Sequence, residues 1–154
     1  MTPPASGSIV VERELAHPPE KVWRALTDGP LVAAWLMPGD FRPVVGHHFT
    51  LRAEPAPHWD GVTHGEVLEV DPCTRLVYRW QTAGAAPDGL STVVTWTLTP
   101  TPRGVLLRME QAGFRPQDGP NFEGASRAWQ RFMGRLEQVV AALPEQLGHS
   151  LPTP

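Results

Sequence analysis

The sequence has little of what several common kinds of site require. It contains one cysteine, Cys73, which excludes a disulfide framework within the chain and any zinc site built from several cysteines. Its longest apolar runs are far shorter than the ~20 residues needed to span a bilayer. Its 13 basic residues are scattered among 16 acidic ones, so no basic stripe predicts a nucleic-acid partner. We therefore expect no membrane segment and no binding to DNA or RNA.

The composition predicts a single globular domain, since 41% of the 154 residues are hydrophobic and 19% are charged. Proline and glycine punctuate the whole chain, and its two ends, MTPPASGS and PEQLGHSLPTP, offer almost nothing to bury. We expect a domain over residues 9–143, between a disordered segment 1–8 and a flexible tail 144–154. The opening MTPPASGS has neither the charged nor the apolar region of a secretory signal, so a cytoplasmic location is expected.

Residues 17–39, HPPEKVWRALTDGPLVAAWLMPG, predict two short helices instead of one. Pro18 and Pro19 suit the first turn of a helix, and Asp28-Gly29 ends it. Pro30 then suits the first turn of the second helix, which the next Pro-Gly pair ends. Such a pair of helices needs a larger apolar surface on which to pack.

Alternating apolar and polar residues predict one strand before the helix pair and five after it. A broad apolar stripe then predicts a long helix from about Asn121 to Leu143, ended by Pro144. A sheet with one wet face must cover its dry face, and we expect the long helix to be that cover. The predicted class is α+β. The predicted strands are residues 9–16, 47–53, 64–72, 74–81, 92–100 and 104–111.

Several motifs occur in an order that is more specific than any one of them. Residues 16–28 read AHPPEKVWRALTD against APxExVWxALTD, and residues 35–39 read WLMPG against WxxPG. Residues 65–80 read GEVLEVDPCTRLVYRW against GEVLEVDPxxRLVxxW, and Gly113-Phe114 precedes the long helix. The chain resembles the SRPBCC superfamily over residues 9–143, in the branch named after the activator of the heat-shock protein 90 ATPase.

The resemblance implies the helix-grip fold, in which a curved antiparallel sheet wraps around a long C-terminal helix. The short helix pair would close one end of an apolar cavity, with Trp35 and Leu36 facing its mouth. The aromatic side chains on the inner faces would either line this cavity or fill it as ordinary core.

Polar side chains are also expected inside the sheet. The alternation that buries Leu15 turns Arg13 inward, and the alternation that buries Leu68 turns His64 and Glu66 inward. Arg13 and Glu66 would then either form an internal ion pair or orient a ligand. The predicted ligand-binding residues are Arg13, Trp35, Phe49, Leu51, His64, Glu66, Tyr78, Trp80, Trp96, Met109, Trp129, Phe132 and Met133.

No cofactor, metal or catalytic residue is predicted. The segment HWDGVTHGE contains His58, Asp60, His64 and Glu66, but their spacing fixes no metal geometry. No glycine-rich phosphate loop follows a strand, and nothing near Cys73 in the sequence would activate its thiol.

Three functions remain open. The first is binding of a small, largely apolar molecule in the grip, by which we mean the space between the sheet and the long helix. The second is a partner-binding module acting on a chaperone or another protein, although the eukaryotic activators carry an additional N-terminal domain. The third is an enzyme of the polyketide cyclase or aromatase type, in which inward His64, Glu66, Arg13 or Tyr78 would transfer protons or stabilise charge. The sequence favours binding over catalysis and leaves the oligomeric state open.

Overall fold

The computed structural model describes residues 7–55, 61–82 and 89–144. They form six strands, three α-helices and one turn of 3-10 helix. A single antiparallel sheet in the order β1-β6-β5-β4-β3-β2 holds all six strands. The elements are β1 (Gly7–Leu15), α1 (Pro19–Thr27), α2 (Gly29–Trp35), β2 (His48–Arg52), β3 (Val62–Asp71), β4 (Arg75–Thr82), β5 (Leu90–Thr101), β6 (Gly104–Phe114), the 3-10 turn (Pro116–Asp118) and α3 (Gly119–Ala142).

The two short helices form at the positions predicted from the sequence. Pro19 begins α1, and Asp28 lies between the two helices in an extended conformation that ends α1 and precedes α2. Val22 and Ala25 are fully buried, since they lie on the face that turns toward the core. Both helices pack against α3, so they close one end of the grip.

The long helix α3 covers the inner face of the sheet, which confirms the predicted helix-grip architecture. Met133, Leu136 and Val140 repeat at helical spacing and are completely buried. The helix ends because Leu143 adopts the extended conformation favoured before Pro144. Within the described ranges, no helix is both long enough and apolar enough to cross a membrane.

The strands bury alternate residues, as the sequence pattern predicts, except in β3 and in the facing part of β4, where Leu76, Val77 and Tyr78 are all buried. The register between β3 and β4 shifts between Val67 and Glu69, so Leu68 is an extra residue in a bulge. Val67 pairs with Tyr78, which faces inward, and therefore the residues in phase with Val67 also face inward. These are Thr63 and Gly65. The alternation that places Leu68 inward therefore does not apply to the residues of β3 before the bulge.

Candidate functional site

Aromatic rings fill the centre of the grip. Trp96 of β5 lies between Trp35 of α2 and Trp129 of α3, with ring centroids 5.6 and 5.8 Å away, both at steep angles. The ring centroids of Trp80 and Phe132 each lie 5.5 Å from that of Trp129. The rings pack against one another in the edge-on and tilted geometries that stabilise aromatic pairs.

The aromatic cluster continues toward the edge strand β2. Tyr78 stacks on Trp80 at 6.3 Å and meets Phe49 edge-on at 5.5 Å. Phe41 completes the cluster by contacting both Phe49 and Tyr78. Sequence reasoning missed Phe41 because it lies between α2 and β2, where no helical or strand periodicity indicates a buried face.

A chain of buried hydrogen bonds joins α3 to the sheet. The Trp129 indole donates to Oε1 of Gln111 at 2.7 Å, and Nε2 of Gln111 donates to Oγ1 of Thr92 at 2.9 Å. The Thr92 hydroxyl donates in turn to the backbone carbonyl of Trp80 at 3.2 Å. Gln111 was not predicted, although the alternation of Leu107 and Met109 continues to it and places it inside.

Tyr78 is buried, and its hydroxyl oxygen accepts a hydrogen bond of 2.9 Å from the Trp96 indole. Burial raises the pKa of the Tyr78 hydroxyl well above its ordinary value, because the phenolate would lose its hydration. The group therefore stays protonated near neutral pH. It can donate a hydrogen bond but cannot serve there as a base.

The predicted inward orientation of His64 and Glu66 is wrong. His64 is exposed, and Glu66 lies on the outer face, 3.6 Å from Nη1 of Arg79 and 4.0 Å from Nε2 of His48. The physical reason is the bulge at Leu68, which reverses the alternation on which the expectation was based. Neither side chain lies in the grip.

Arg13 lies on the α3 side of β1, as its alternation with Val11 and Leu15 predicts, but its expected partner is wrong, and so is the expected position of Trp35. Arg13 is half-exposed at the edge of the sheet, where Nε contacts Glu137 at 3.0 Å and Nη2 donates to Gln130 at 3.0 Å. It therefore binds α3 and not Glu66. Trp35 is only 1% exposed and its indole donates to the carbonyl of Ala25 at 2.8 Å, so it is part of the core and not of a cavity mouth.

The remaining predicted side chains face the interior. Phe49, Leu51, Tyr78, Trp80, Trp96 and Met109 lie on the inner face of the sheet, and Trp129, Phe132 and Met133 lie on α3. All are buried apart from Phe132, which is partly exposed.

The candidates for metal binding and nucleophilic chemistry lie elsewhere. His58 and Asp60 fall outside the described residues, and among those described no three His, Cys, Asp or Glu side chains come together. Cys73 lies in the turn between β3 and β4, where burial raises the pKa of its thiol. A protonated thiol is a weak nucleophile and a poor metal ligand.

Along α3, burial is complete at several positions from the middle onward and shallower at the start. The second half of α3 buries Met133 and Leu136 completely, whereas Phe122, Ala125 and Ser126 in the first half are only partly buried. This first half starts beside the corner of the sheet where Phe114 contacts Phe122 at 5.0 Å. We call this region the open end. On the sheet it comprises Thr63, Trp80, Thr82, Leu90 and Thr92, and on α3 it comprises Phe122, Ala125 and Ser126.

A charged clamp borders the open end. The Asp118 carboxylate accepts hydrogen bonds from the Arg115 backbone at 2.7 Å and from the Arg115 side chain at 2.9 and 3.0 Å. Arg115 also donates to the carbonyl of Gly89, just before β5. The hydrogen bonds from Arg115 hold the pKa of the Asp118 carboxyl below its usual range. The clamp thus ties the start of α3 to the sheet.

Comparison with known proteins identifies the family. The family described as Activator of Hsp90 ATPase homolog 1-like protein matches residues 16–141. The chain belongs to this family, which is a branch of the SRPBCC superfamily. None of the curated proteins compared with the chain matches it.

Solved structures agree with this membership. Protein MLL2253 from Mesorhizobium loti is 47% identical, with a TM-score of 0.82 and coverage of 90% of this chain and 99% of that one. Protein BH1534 from Bacillus halodurans is 25% identical, with a TM-score of 0.71 and coverage of 87% and 96%. DynU16, from the dynemicin biosynthetic locus, is 24% identical with a TM-score of 0.74, and 91% of this chain covers 48% of it. The last likeness shows the fold alone.

Proposed function

We propose that this family member binds a small, largely apolar molecule at the open end of the grip. The observation that carries the proposal is the change in burial along α3. Leu136 and Met133 are completely buried, while Phe122 and Ala125 remain partly accessible, although they lie on the same apolar stripe. An apolar stripe left partly accessible beside an aromatic interior is a suitable surface for an apolar ligand.

The composition of the open end supports the same conclusion. Trp80 is 7% exposed and Thr82 is 9% exposed, whereas Trp96 deeper in the grip is 0% exposed. Small-molecule sites combine apolar and aromatic walls with a few polar groups that fix orientation. Trp80 and Leu90 supply apolar surface here, and Thr82 supplies a hydroxyl.

A filling variant tests the proposal. Ala125→Trp places a large side chain in the open end, and Ala141→Trp places the same side chain at an exposed position near the far end of α3. Each protein is screened by thermal shift against sterols, fatty acids and aromatic polyketides, and freshly purified samples are weighed by native mass spectrometry. A ligand at a hundred times its Kd stabilises the folded state by about 2.7 kcal/mol.

We expect the wild type and Ala141→Trp to respond to the same compounds and Ala125→Trp to lose the response. A ligand that stabilises all three proteins equally would place its site elsewhere. A screen that shifts none of them, with no co-purifying mass, would refute binding in the grip.

A partner-binding module is the second candidate. Family membership supports it, and so do Val44 and Val45, which are adjacent in the segment before β2 and are 54% and 62% exposed. Two valines make a small patch compared with the apolar surfaces that usually mark protein interfaces, which is why this candidate ranks second. Stimulation of the ATPase of purified heat-shock protein 90, lost in a Val44→Ser, Val45→Ser variant, would favour it over ligand binding.

Proton-transfer catalysis of the cyclase type has less support. His64 and Glu66 lie on the outer face, and Arg13 is engaged by Glu137 at the edge of the sheet. Of the four groups expected to act inside the grip, only Tyr78 is buried there, and its hydroxyl stays protonated. The described inner residues therefore offer no acid and base pair.

A further inference from the structure

One buried hydroxyl inside the grip has no hydrogen-bond partner. Thr63 is completely buried, and its Oγ1 makes no hydrogen bond. The neighbouring inner polar groups differ, because Gln111 bonds to Trp129 and Thr92, and the Tyr78 hydroxyl accepts from Trp96. An unpaired buried hydroxyl destabilises a folded protein, so natural cores rarely keep one without a reason.

Thr63 lies at the open end. It pairs with Leu51 of β2, and the adjacent His64–Gln81 pair sets Thr82 of β4 directly beside it. The next inner residue of β3 is Gly65, which pairs with Trp80. Thr63 is therefore one inward position along β3 from the residue that pairs with Trp80.

The surroundings of Thr63 favour a neutral ligand group over a charged one. Among the described side chains on the inner face of this region, Thr63, Thr82 and Thr92 are polar but uncharged. The nearby guanidinium of Arg115 and carboxylate of Asp118 form an ion pair with each other. A carboxylate at Thr63 would lose its hydration without gaining a cation, whereas a carbonyl or hydroxyl oxygen needs only the hydrogen bond that Thr63 can donate.

We propose that Thr63 is the polar anchor of the ligand site, and that the ligand is a neutral, ring-containing molecule whose carbonyl or hydroxyl oxygen bonds to Thr63 Oγ1. This inference rests on the proposed function, since it presumes a ligand at the open end. Trp80 and Leu90 on the sheet, with Phe122 and Ala125 on α3, supply the apolar walls that such a molecule needs.

Three naphthalene probes test the inference. 2-Acetylnaphthalene carries a carbonyl oxygen, 2-isopropenylnaphthalene has nearly the same shape without the oxygen, and 2-naphthoate carries a charge. Each is titrated into wild type, Thr63→Val and Thr63→Ser, with the indole N–H signals of Trp80 and Trp129 followed by NMR. Thr63→Val replaces the hydroxyl with a methyl group of similar size, and Thr63→Ser keeps the hydroxyl.

We expect the Kd of 2-acetylnaphthalene to rise about tenfold in Thr63→Val and to stay within about threefold of wild type in Thr63→Ser. The Kd of 2-isopropenylnaphthalene should be unchanged in Thr63→Val, and the unliganded Thr63→Val protein should have a higher Tm than wild type. 2-Naphthoate should bind more weakly than the ketone.

The outcomes separate the two proposals. If the ketone and the hydrocarbon bind wild type and Thr63→Val with equal affinity, the role of Thr63 is wrong while ligand binding stands. If 2-naphthoate binds most tightly, the neutral class is wrong. If no probe moves either indole signal at its solubility limit, ligand binding at the open end fails, and the role of Thr63 fails with it.

Discussion

The indole of Trp129 and the side-chain amide of Gln111 form a 2.7 Å hydrogen bond within the core. Because Trp129 belongs to α3 and Gln111 to β6, this bond joins the long helix to the sheet. Gln111 also donates to Thr92 of β5, so one amide connects the helix to two neighbouring strands. Apolar packing alone would allow α3 to slide, whereas a buried hydrogen bond favours one position.

Trp129→Ala should lower the free energy of unfolding by about 3–5 kcal/mol, as large aromatic truncations in cores do. The variant loses ring contacts to Trp80, Trp96 and Phe132 and leaves Gln111 without its donor. Urea denaturation measures the loss. Trp23→Ala is the control, since Trp23 is only partly buried on α1 and should cost less. Equal stability of Trp129→Ala and wild type would contradict the placement of α3.

The amide of Gln111 should be coupled to Trp129 energetically. Gln111→Met removes the acceptor and leaves the buried indole unpaired, which should cost about 1–3 kcal/mol. Trp129→Phe removes the donor, and the double variant leaves neither group of this bond unpaired. We therefore expect the double variant to cost less than the sum of the two single variants in a double-mutant cycle followed by urea denaturation. Strict additivity would show that the bond contributes nothing.

Asp118→Asn should destabilise the protein in a way that depends on pH. Hydrogen bonds from Arg115 lower the pKa of Asp118 in the folded state. The stabilisation is then full above the unfolded pKa of about 3.9 and is lost as the pH falls through the folded value. The variant should lose about 1.5–3 kcal/mol near neutral pH, because it removes the charge from these hydrogen bonds.

Denaturant titrations between about pH 7 and about pH 3 check this, and the difference from wild type should shrink toward the acidic end. Glu69→Gln serves as the control, since its ion pair with Arg75 is on the surface and should matter little. A deficit in Asp118→Asn that stays constant with pH would mean that the charge of Asp118 is not responsible.

The sequence predicted the fold well because its signals are local. Proline and glycine mark the ends of the helix pair, and the apolar stripe of α3 is visible at helical spacing over its length. The predicted helix from about Asn121 to Leu143 corresponds to Gly119–Ala142 in the structure. Each of the predicted strands is present, with ends that differ by a few residues.

The candidate site was harder to predict because it depends on register. The bulge at Leu68 adds one residue and thereby sends His64 outward and Thr63 inward. The alternation of apolar and polar residues in β3 gives no sign that Leu68 is an extra residue. Phe41 is buried by tertiary packing outside any periodic element, so its role could not be read from the sequence either.

Cys73→Gly should stabilise the protein. Cys73 has a φ of 62°, a left-handed conformation that suits glycine and strains a residue with a Cβ. It follows Pro72 in the turn closed by the Thr74 N–H bonding to the Asp71 carbonyl at 2.9 Å. Relief of the strain, offset by the greater freedom of glycine in the unfolded chain, should yield about 0.5–1 kcal/mol. Cys73→Ala keeps the Cβ and should gain nothing, so an equal gain in both variants by thermal denaturation would point to loss of the thiol.

Gly65→Ala should destabilise the protein, because the inner face of β3 has no space for a side chain at this position. Gly65 pairs with Phe49, and a Cβ at Gly65 would overlap the Phe49 ring, so the ring occupies the space that a side chain would need. Alanine normally stabilises a strand relative to glycine, but here overpacking should cost about 1–3 kcal/mol.

Gly134→Ala is the matched control, because nothing lies within 4 Å of a Cβ at that position of α3, and alanine should add about 0.5–1 kcal/mol of stability. Adding Phe49→Leu to Gly65→Ala should recover part of the loss, because the smaller side chain frees the space. If Gly65→Ala and Gly134→Ala shift the urea midpoint in the same direction, the Phe49 ring does not lie against β3 as described.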